Sequence, residues 1–433
     1  MNPSPASASI EHVMLIVTIQ IVVIIAVARI AGALFRRMGQ PSVCGEIAAG
    51  LILGPSLLGK LLPEISARIF DPSVGQILAV VSQLGLVLMM FLIGMEFDFG
   101  HLSENHGTAL SISTVGIVVP FVLGFGLGQV MHPALALTGS PLNFSLFIAA
   151  AMSITAIPVL GRILIELNIH RTRIGTLTIS AAALNDAVGW IIVALVTAIV
   201  RSTFDPATFA VMVLEVIVYG LAMGFGVRPA LCKWACEHVR KHSGELSLNG
   251  FAIILILVYV SAMITNLIGI FSIFGGFAMG AILFDQVEVR RAVLARLNDF
   301  VTVFFLPVFF TYTGLRTDIG SMQGAVLWGF CGLVLLAAAA GKLGGCMFAA
   351  KACGMPWRES AIIGVLMNTR GLMELIVINI GYDLGIIPRT VFFMLVMMAV
   401  VTTYMTAPIL GRLLHRSEAG AAYEESGLAA SKG

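Results

Sequence analysis

The sequence predicts an all-α polytopic membrane protein of about 13 transmembrane helices, an inverted repeat with two crossed broken helices. Three observations carry this. The chain of 433 residues is 58% hydrophobic and only 11% charged, whereas a soluble domain has about 25% charged residues. Apolar stretches long enough to cross a hydrocarbon core of about 30 Å recur along nearly the whole length. Two of those stretches are interrupted at their centres by proline or glycine beside polar groups.

Spans are expected at residues 13–35, 42–58, 74–97, 107–130, 144–168, 172–200, 207–231, 247–268, 269–285, 300–315, 324–350, 358–381 and 389–413. Helices follow because lipid offers no partner to peptide groups, and the runs are too uniformly apolar for the alternating strands of a barrel. The first run has no basic segment before it and exceeds a signal-peptide core in length, so it reads as a retained span. The second and ninth are short and glycine-rich, which predicts tilted or closely packed helices. A polar tail, 416–433, should be disordered and cytoplasmic.

With the N-terminus outside and the C-terminus in the cytoplasm, 17 of the 25 lysines and arginines fall on the inner side. Lys60, Arg68, Arg201, Arg316 and Arg389 remain outside, and Arg29, Lys342 and Arg370 lie within spans. This is the asymmetry of an inner (plasma) membrane protein inserted by the positive-inside rule.

The fifth span carries Ser153-Ile154-Thr155-Ala156-Ile157-Pro158, where proline removes a helix donor and clashes with the preceding turn. The twelfth carries Asn368-Thr369-Arg370-Gly371. Seven spans apart, the two run in opposite directions through the membrane. Such a pair marks the place where secondary transporters unwind their helices around a substrate near the midplane, although each interruption alone is also consistent with an ordinary kink.

The sixth span places Asn185-Asp186 at its centre. An acid at that depth either caps a broken helix or pairs with a basic residue, or else it serves the transported ion. In the last case proton and metal cation compete for one carboxylate. If only the occupied form crosses the membrane cheaply, the two ions move in opposite directions. Further oxygen ligands for a small cation are the Ser153 and Thr155 hydroxyls and nearby unwound carbonyls, with Asn185 bracing the half-helices.

Arg370 and Glu374 are spaced to neutralise one another as an i, i+4 pair, a supporting rather than ion-contacting role. Lys342, in Gly341-Lys342-Leu343-Gly344-Gly345, either snorkels to the inner interface or meets Asp186 when the ion leaves. Glu46 is a weaker candidate, as are Glu96 and Asp98, which fall at the cytoplasmic mouth, where they either draw in cations or end a solvated helix.

Other signals point away from enzymes and cofactors. Cys232 and Cys236 share one helical face while His238 and His242 share another, so one tetrahedral metal site would need the helix to end between them. Gly124, Gly126 and Gly128 lie inside an apolar span, so they read as packing glycines and not a dinucleotide fingerprint. There is no Walker motif, the six cysteines show no framework spacing, and a net charge of +2 gives no reason to expect nucleic acid. No cofactor is expected.

Pro41 through Ser56 (PSVCGEIAAGLILGPS), Phe91 through Phe97 (FLIGMEF), the Thr155/Pro158 break, Asn185-Asp186, Lys342 and Asn368 through Glu374 (NTRGLME) resemble the sodium/proton exchanger superfamily. The branch is that of the bacterial glutathione-gated potassium efflux proteins and the plant cation/proton exchangers, and the resemblance covers nearly all of residues 10–415.

It implies the sodium/proton antiporter fold in a single domain over 1–415, a homodimer, and monovalent cation (Na⁺ or K⁺) against proton exchange. Each protomer would have a scaffold at about 10–100 and 207–315 and a moving core at about 107–200 and 324–413, travelling as an elevator. It maps the essential carboxylate onto Asp186, the unwound-helix ligand onto Thr155 and the core lysine onto Lys342. Electrogenic relatives carry two adjacent acids where this chain has Asn185-Asp186, which implies electroneutral exchange unless Lys342 gives up a proton. No nucleotide-binding regulatory domain is expected in this chain. A passive or gated cation channel, a sensor that has lost transport and a sodium/organic-anion symporter are the competing readings.

Overall fold

The computed structural model describes residues 10–71, 74–96, 106–169, 172–201, 206–242 and 244–414. The chain runs through α1 (Ile10–Arg37), α2 (Ser42–Leu53), α3 (Leu58–Leu61), α4 (Pro63–Ile69), α5 (Gly75–Glu96), α6 (His106–Ala134), α7 (Pro141–Ser153), α8 (Ile157–Glu166), α9 (Arg173–Arg201) and α10 (Pro206–Leu221). It continues through α11 (Arg228–Lys241), α12 (Leu248–Ile268), α13 (Ser272–Ala281), α14 (Val287–Phe300), α15 (Leu306–Arg316), α16 (Ala325–Ala339), α17 (Gly345–Ala352), α18 (Trp357–Met367), α19 (Leu372–Asp383) and α20 (Arg389–Leu414). Three π-helical turns, Ala222–Val227, Val301–Phe305 and Ala340–Gly344, join consecutive helices into longer rods. No strand occurs among the described residues.

Ten of these rods are long and apolar enough to cross a bilayer, or eleven when α18 and α19, bent by 42°, count as one broken span. The expected count of 13 is therefore not reproduced by that measure. The difference lies in two predicted spans that the fold makes short: the fifth, split into α7 and α8, and the ninth, reduced to the 10 residues of α13. Large apolar side chains face outward along the rods, among them Phe225 at 81% and Leu267 at 78% exposure, as a lipid-facing surface requires.

The glycine-rich second span is held by close helix approach. α2 packs against α1 and α15. A β-carbon on Gly50 would overlap the Phe310 carbonyl, and one on Gly314 would overlap that of Gly50. Small residues let backbones meet where helices lack a hydrophobic drive to associate. Of the three glycines in the fourth span, Gly124 and Gly128 pack against Ala149 and Ser145 of α7, whereas a β-carbon on Gly126 would meet nothing within 4 Å, so no neighbour within this chain requires a glycine there.

One set of packed pairs joins α1 with α2, α2 with α15, α5 with α13 and α12 with α13. Another joins α6 with α7, α9, α16 and α17, then α17 with α18, α16 with α20 and α19 with α20. The interrupted helices lie in the second set. The predicted tail at 416–433 and Asp98 lie outside the described residues, and Glu96 ends α5.

Candidate ion-binding site

The first break is complete. α7 stops at Ser153, Ile154 and Ala156 have extended backbones, and α8 restarts at Ile157 with Pro158 in its first turn. A proline there has no helical partner to lose. The second break runs from Asn368 to Gly371. Gly371 has φ 137°, a conformation that favours glycine, and a β-carbon on it would come 3.0 Å from Val159. The two breaks touch, because the Ala156 N–H donates to the Thr369 carbonyl at 3.4 Å.

A helix C-terminus carries orphan carbonyls and partial negative charge, costly to bury without donors. At α7 the donors are two cations from distant segments, Arg370 in the second break and Lys342 in a π-helical turn. Arg370 donates from Nη1 to the Ala151 carbonyl at 3.3 Å and from Nη2 to that of Met152 at 2.7 Å. Lys342 Nζ donates to the Ser153 carbonyl. The same Arg370 Nη1 donates to both Glu374 oxygens at 2.9 Å, which makes a fully buried ion pair. Arg370 lies in the break and Glu374 in the first turn of α19, so they do not share one continuous helix as the spacing implied. There the acid also faces the positive end of α19.

Lys342 is fully buried and does not snorkel. Its π-helical turn, Ala340–Gly344, inserts an extra residue into the rod between α16 and α17, and such bulges occur at functional sites. Nor does Lys342 hydrogen-bond Asp186 in this conformation. Besides Ser153, its ammonium donates to Asn185 Oδ1 at 3.1 Å, and the same oxygen accepts from the Thr155 hydroxyl at 2.9 Å. Asn185 thus ties the first break to the lysine. The Ser153 hydroxyl donates to the Ala149 carbonyl at 2.6 Å and keeps its lone pairs, while the Ser153 carbonyl accepts from Lys342.

Asp186, in the middle of α9, is fully buried, and neither of its carboxylate oxygens has a hydrogen-bond partner. A bare carboxylate in such a place costs several kcal/mol, which a bound proton or a cation removes. Glu46, in α2, is also buried, with Arg29 Nη1 at 3.9 Å.

Threonines of α20 supply contacts that the sequence reading missed. The Thr403 hydroxyl donates to the Arg370 carbonyl at 2.8 Å and accepts from the Arg370 N–H at 3.2 Å. Thr406 lies 3.4 Å from Thr369, hydroxyl to hydroxyl. The available signal was Thr402-Thr403-Tyr404-Met405-Thr406, a polar run inside an otherwise apolar span.

Two helix breaks meeting beside a buried, unpartnered acid inside an all-helical multi-pass membrane protein define a secondary transporter of the broken-helix type. The sodium/hydrogen exchanger transmembrane family profile matches residues 22–415, and the chain belongs to that family, one of transporters and not of enzymes.

Among its relatives, the Na⁺/H⁺ antiporter NhaS4 of Synechocystis is 39% identical, the match covering 93% of this chain and 98% of that protein. Cation/H⁺ antiporter 17 of Arabidopsis thaliana is 37% identical over 92% of this chain and 48% of its own length. K⁺/H⁺ antiporter 1 of Saccharomyces cerevisiae is 32% identical over 87% and 44%. The chain thus spans about half the length of the plant and yeast proteins. The solved sodium proton antiporter MjNhaP1 of Methanocaldococcus jannaschii aligns with a TM-score of 0.60 at 17% identity, covering 95% of this chain and 99% of that one, and so shares the fold.

Proposed function

We propose that this protein exchanges a monovalent cation, Na⁺ or K⁺, for a proton, and that Asp186 carries both in turn. The observation that carries the reading is the fully buried Asp186 carboxylate with neither oxygen hydrogen-bonded, beside the point where two broken helices touch. Proton and cation each neutralise it, and only one can do so at a time. Thr155, whose hydroxyl oxygen keeps lone pairs while donating to Asn185, supplies a further oxygen to the cation.

Lys342 and Arg370 neutralise the end of α7, and Glu374 neutralises Arg370, so these charges stay in place while the ion on Asp186 changes. Asn185 adds no second titrating acid, which makes the exchange one-for-one and electroneutral for as long as Lys342 keeps its proton.

The movement is an elevator of the core, about 107–200 and 324–413, against a scaffold at about 10–100 and 207–315. Packing that is denser within each helix set than between them, where α2 meets α20 and α9 meets α10, supports that division. The resemblance to exchangers supports a homodimer in the plasma membrane, and the distribution of basic residues supports an external N-terminus and a cytoplasmic C-terminus.

The test is flux in liposomes with pH and cation recorded together. Addition of Na⁺ or K⁺ should collapse an imposed pH gradient, with matched cation and proton movement, and Asp186→Asn should abolish it. Cation flux without counter-moving protons would establish the channel reading instead. Undiminished exchange by Asp186→Asn would remove Asp186 from the mechanism.

A further inference from the structure

Arg316 ends α15 and Asp383 ends α19, and the two meet at 2.7 Å. The same Nη1 donates to Asn379 Oδ1 at 3.0 Å. The guanidinium lies over the Tyr312 ring at 4.2 Å and the Tyr382 ring at 5.3 Å from their centroids. Asn379 in turn donates from Nδ2 to the Thr313 hydroxyl at 2.9 Å. Two residues of α15 therefore hold two residues of α19, one turn apart on each helix.

α19 is short, 12 residues or about 18 Å at 1.5 Å per residue. Its first turn carries Glu374, bonded to Arg370 in the second break, and its last turn carries the contacts to α15. The helix that ends on the ion site is thus fixed at its far end to α15, which packs against α2 and α5. The Arg316 and Asp383 side chains keep 21% and 32% of their exposure. That is dry enough for a defined contact and wet enough for water to replace it when it opens.

We infer that Arg316 is a positioning residue of the transport cycle: with Asp383 and Asn379 it forms a latch that holds the second broken helix against α15 and must open for the core to travel. The inference rests on the division into scaffold and core proposed above. A closed latch favours the conformation seen here. The opposite state, which presents the ion site to the membrane face bearing Arg316, is then the minor one, and apparent affinity at that face is reduced by its small population.

Arg316→Gln and Asp383→Asn should each lower the apparent KM for Na⁺ or K⁺ applied at that face by up to about fivefold, the population shift a partly exposed ion pair can impose. The exchange Arg316→Asp with Asp383→Arg should restore the original value. A merely structural contact would lower yield and thermal stability and leave that KM alone, and this result would overturn the proposal.

A second arm does not depend on those variants. In a background with the native cysteines replaced, used for both bridges, Arg316→Cys/Asp383→Cys, bridged in detergent by a reducible bis-methanethiosulfonate and then reconstituted, should stop exchange until reductant is added. The control bridge joins Arg228→Cys to Asp285→Cys, an ion pair at 2.8 Å within the scaffold, and should leave exchange intact. Undiminished exchange with 316 and 383 bridged would overturn the latch, whereas a block by the control bridge would overturn the two-unit division on which it rests.

Discussion

Glu374 and Asp186 are both removed from solvent, at 1% and 0% exposure, yet their surroundings are opposite. Glu374 receives two hydrogen bonds from a guanidinium that also serves two helix carbonyls, while Asp186 receives none. The neighbouring cation that could have paired with Asp186, Lys342, directs two of its three N–H donors to Ser153 and Asn185. Burial alone therefore does not single out the acid proposed to work in exchange. What separates them is that the protein itself completes the charge of Glu374 and, in the proposed exchange, leaves that of Asp186 to an ion that comes and goes.

The largest effect separating the two acids should come from neutralising each in turn. Asp186→Asn should reduce exchange to the level of protein-free liposomes while the purified protein melts no lower than wild type, because no internal bond is lost. Glu374→Gln should do the reverse of that second part. It leaves the Arg370 charge buried without its partner, a change that costs about 3–5 kcal/mol and should appear as a marked loss of thermal stability in detergent. If Glu374→Gln melted like wild type, the contrast between a structural and a working acid would collapse.

Smaller changes sharpen the same contrast. Thr155→Val removes a hydrogen bond to Asn185 and an oxygen near Asp186. It should raise the apparent KM for the cation about fivefold, in keeping with about 1 kcal/mol for one hydrogen bond, with the maximal rate less affected. Thr403→Val acts through the backbone of Arg370, the partner of Glu374, and should cost about 1 kcal/mol of stability, with Thr403→Ser restoring it.

The sequence made the order of the segments, both breaks and the depth of Asn185-Asp186 legible, since apolar runs, proline, glycine and intramembrane charge are local signals. It could not show which groups those signals would meet. Lys342 was read as able to reach the interface because its stem is long, but the π-helical turn that carries it and its bonds to Ser153 and Asn185 depend on helices far away in the chain. Ser153 was legible as a polar residue at a break, but not the return of its hydroxyl to its own helix. The span count differed for a related reason. A broken helix and a short, tightly packed one read as full spans in hydropathy, although α7, α8 and α13 are each too short to cross alone.

The central claim is that proton and cation displace each other on Asp186. Titrating detergent-purified protein with Na⁺ or K⁺ in buffers of differing ionisation heat measures the protons released per cation bound. The account predicts about one proton per cation for wild type and for the Thr403→Ser control, and neither release nor saturable binding for Asp186→Asn. Proton release from Asp186→Asn at the wild-type level would contradict it.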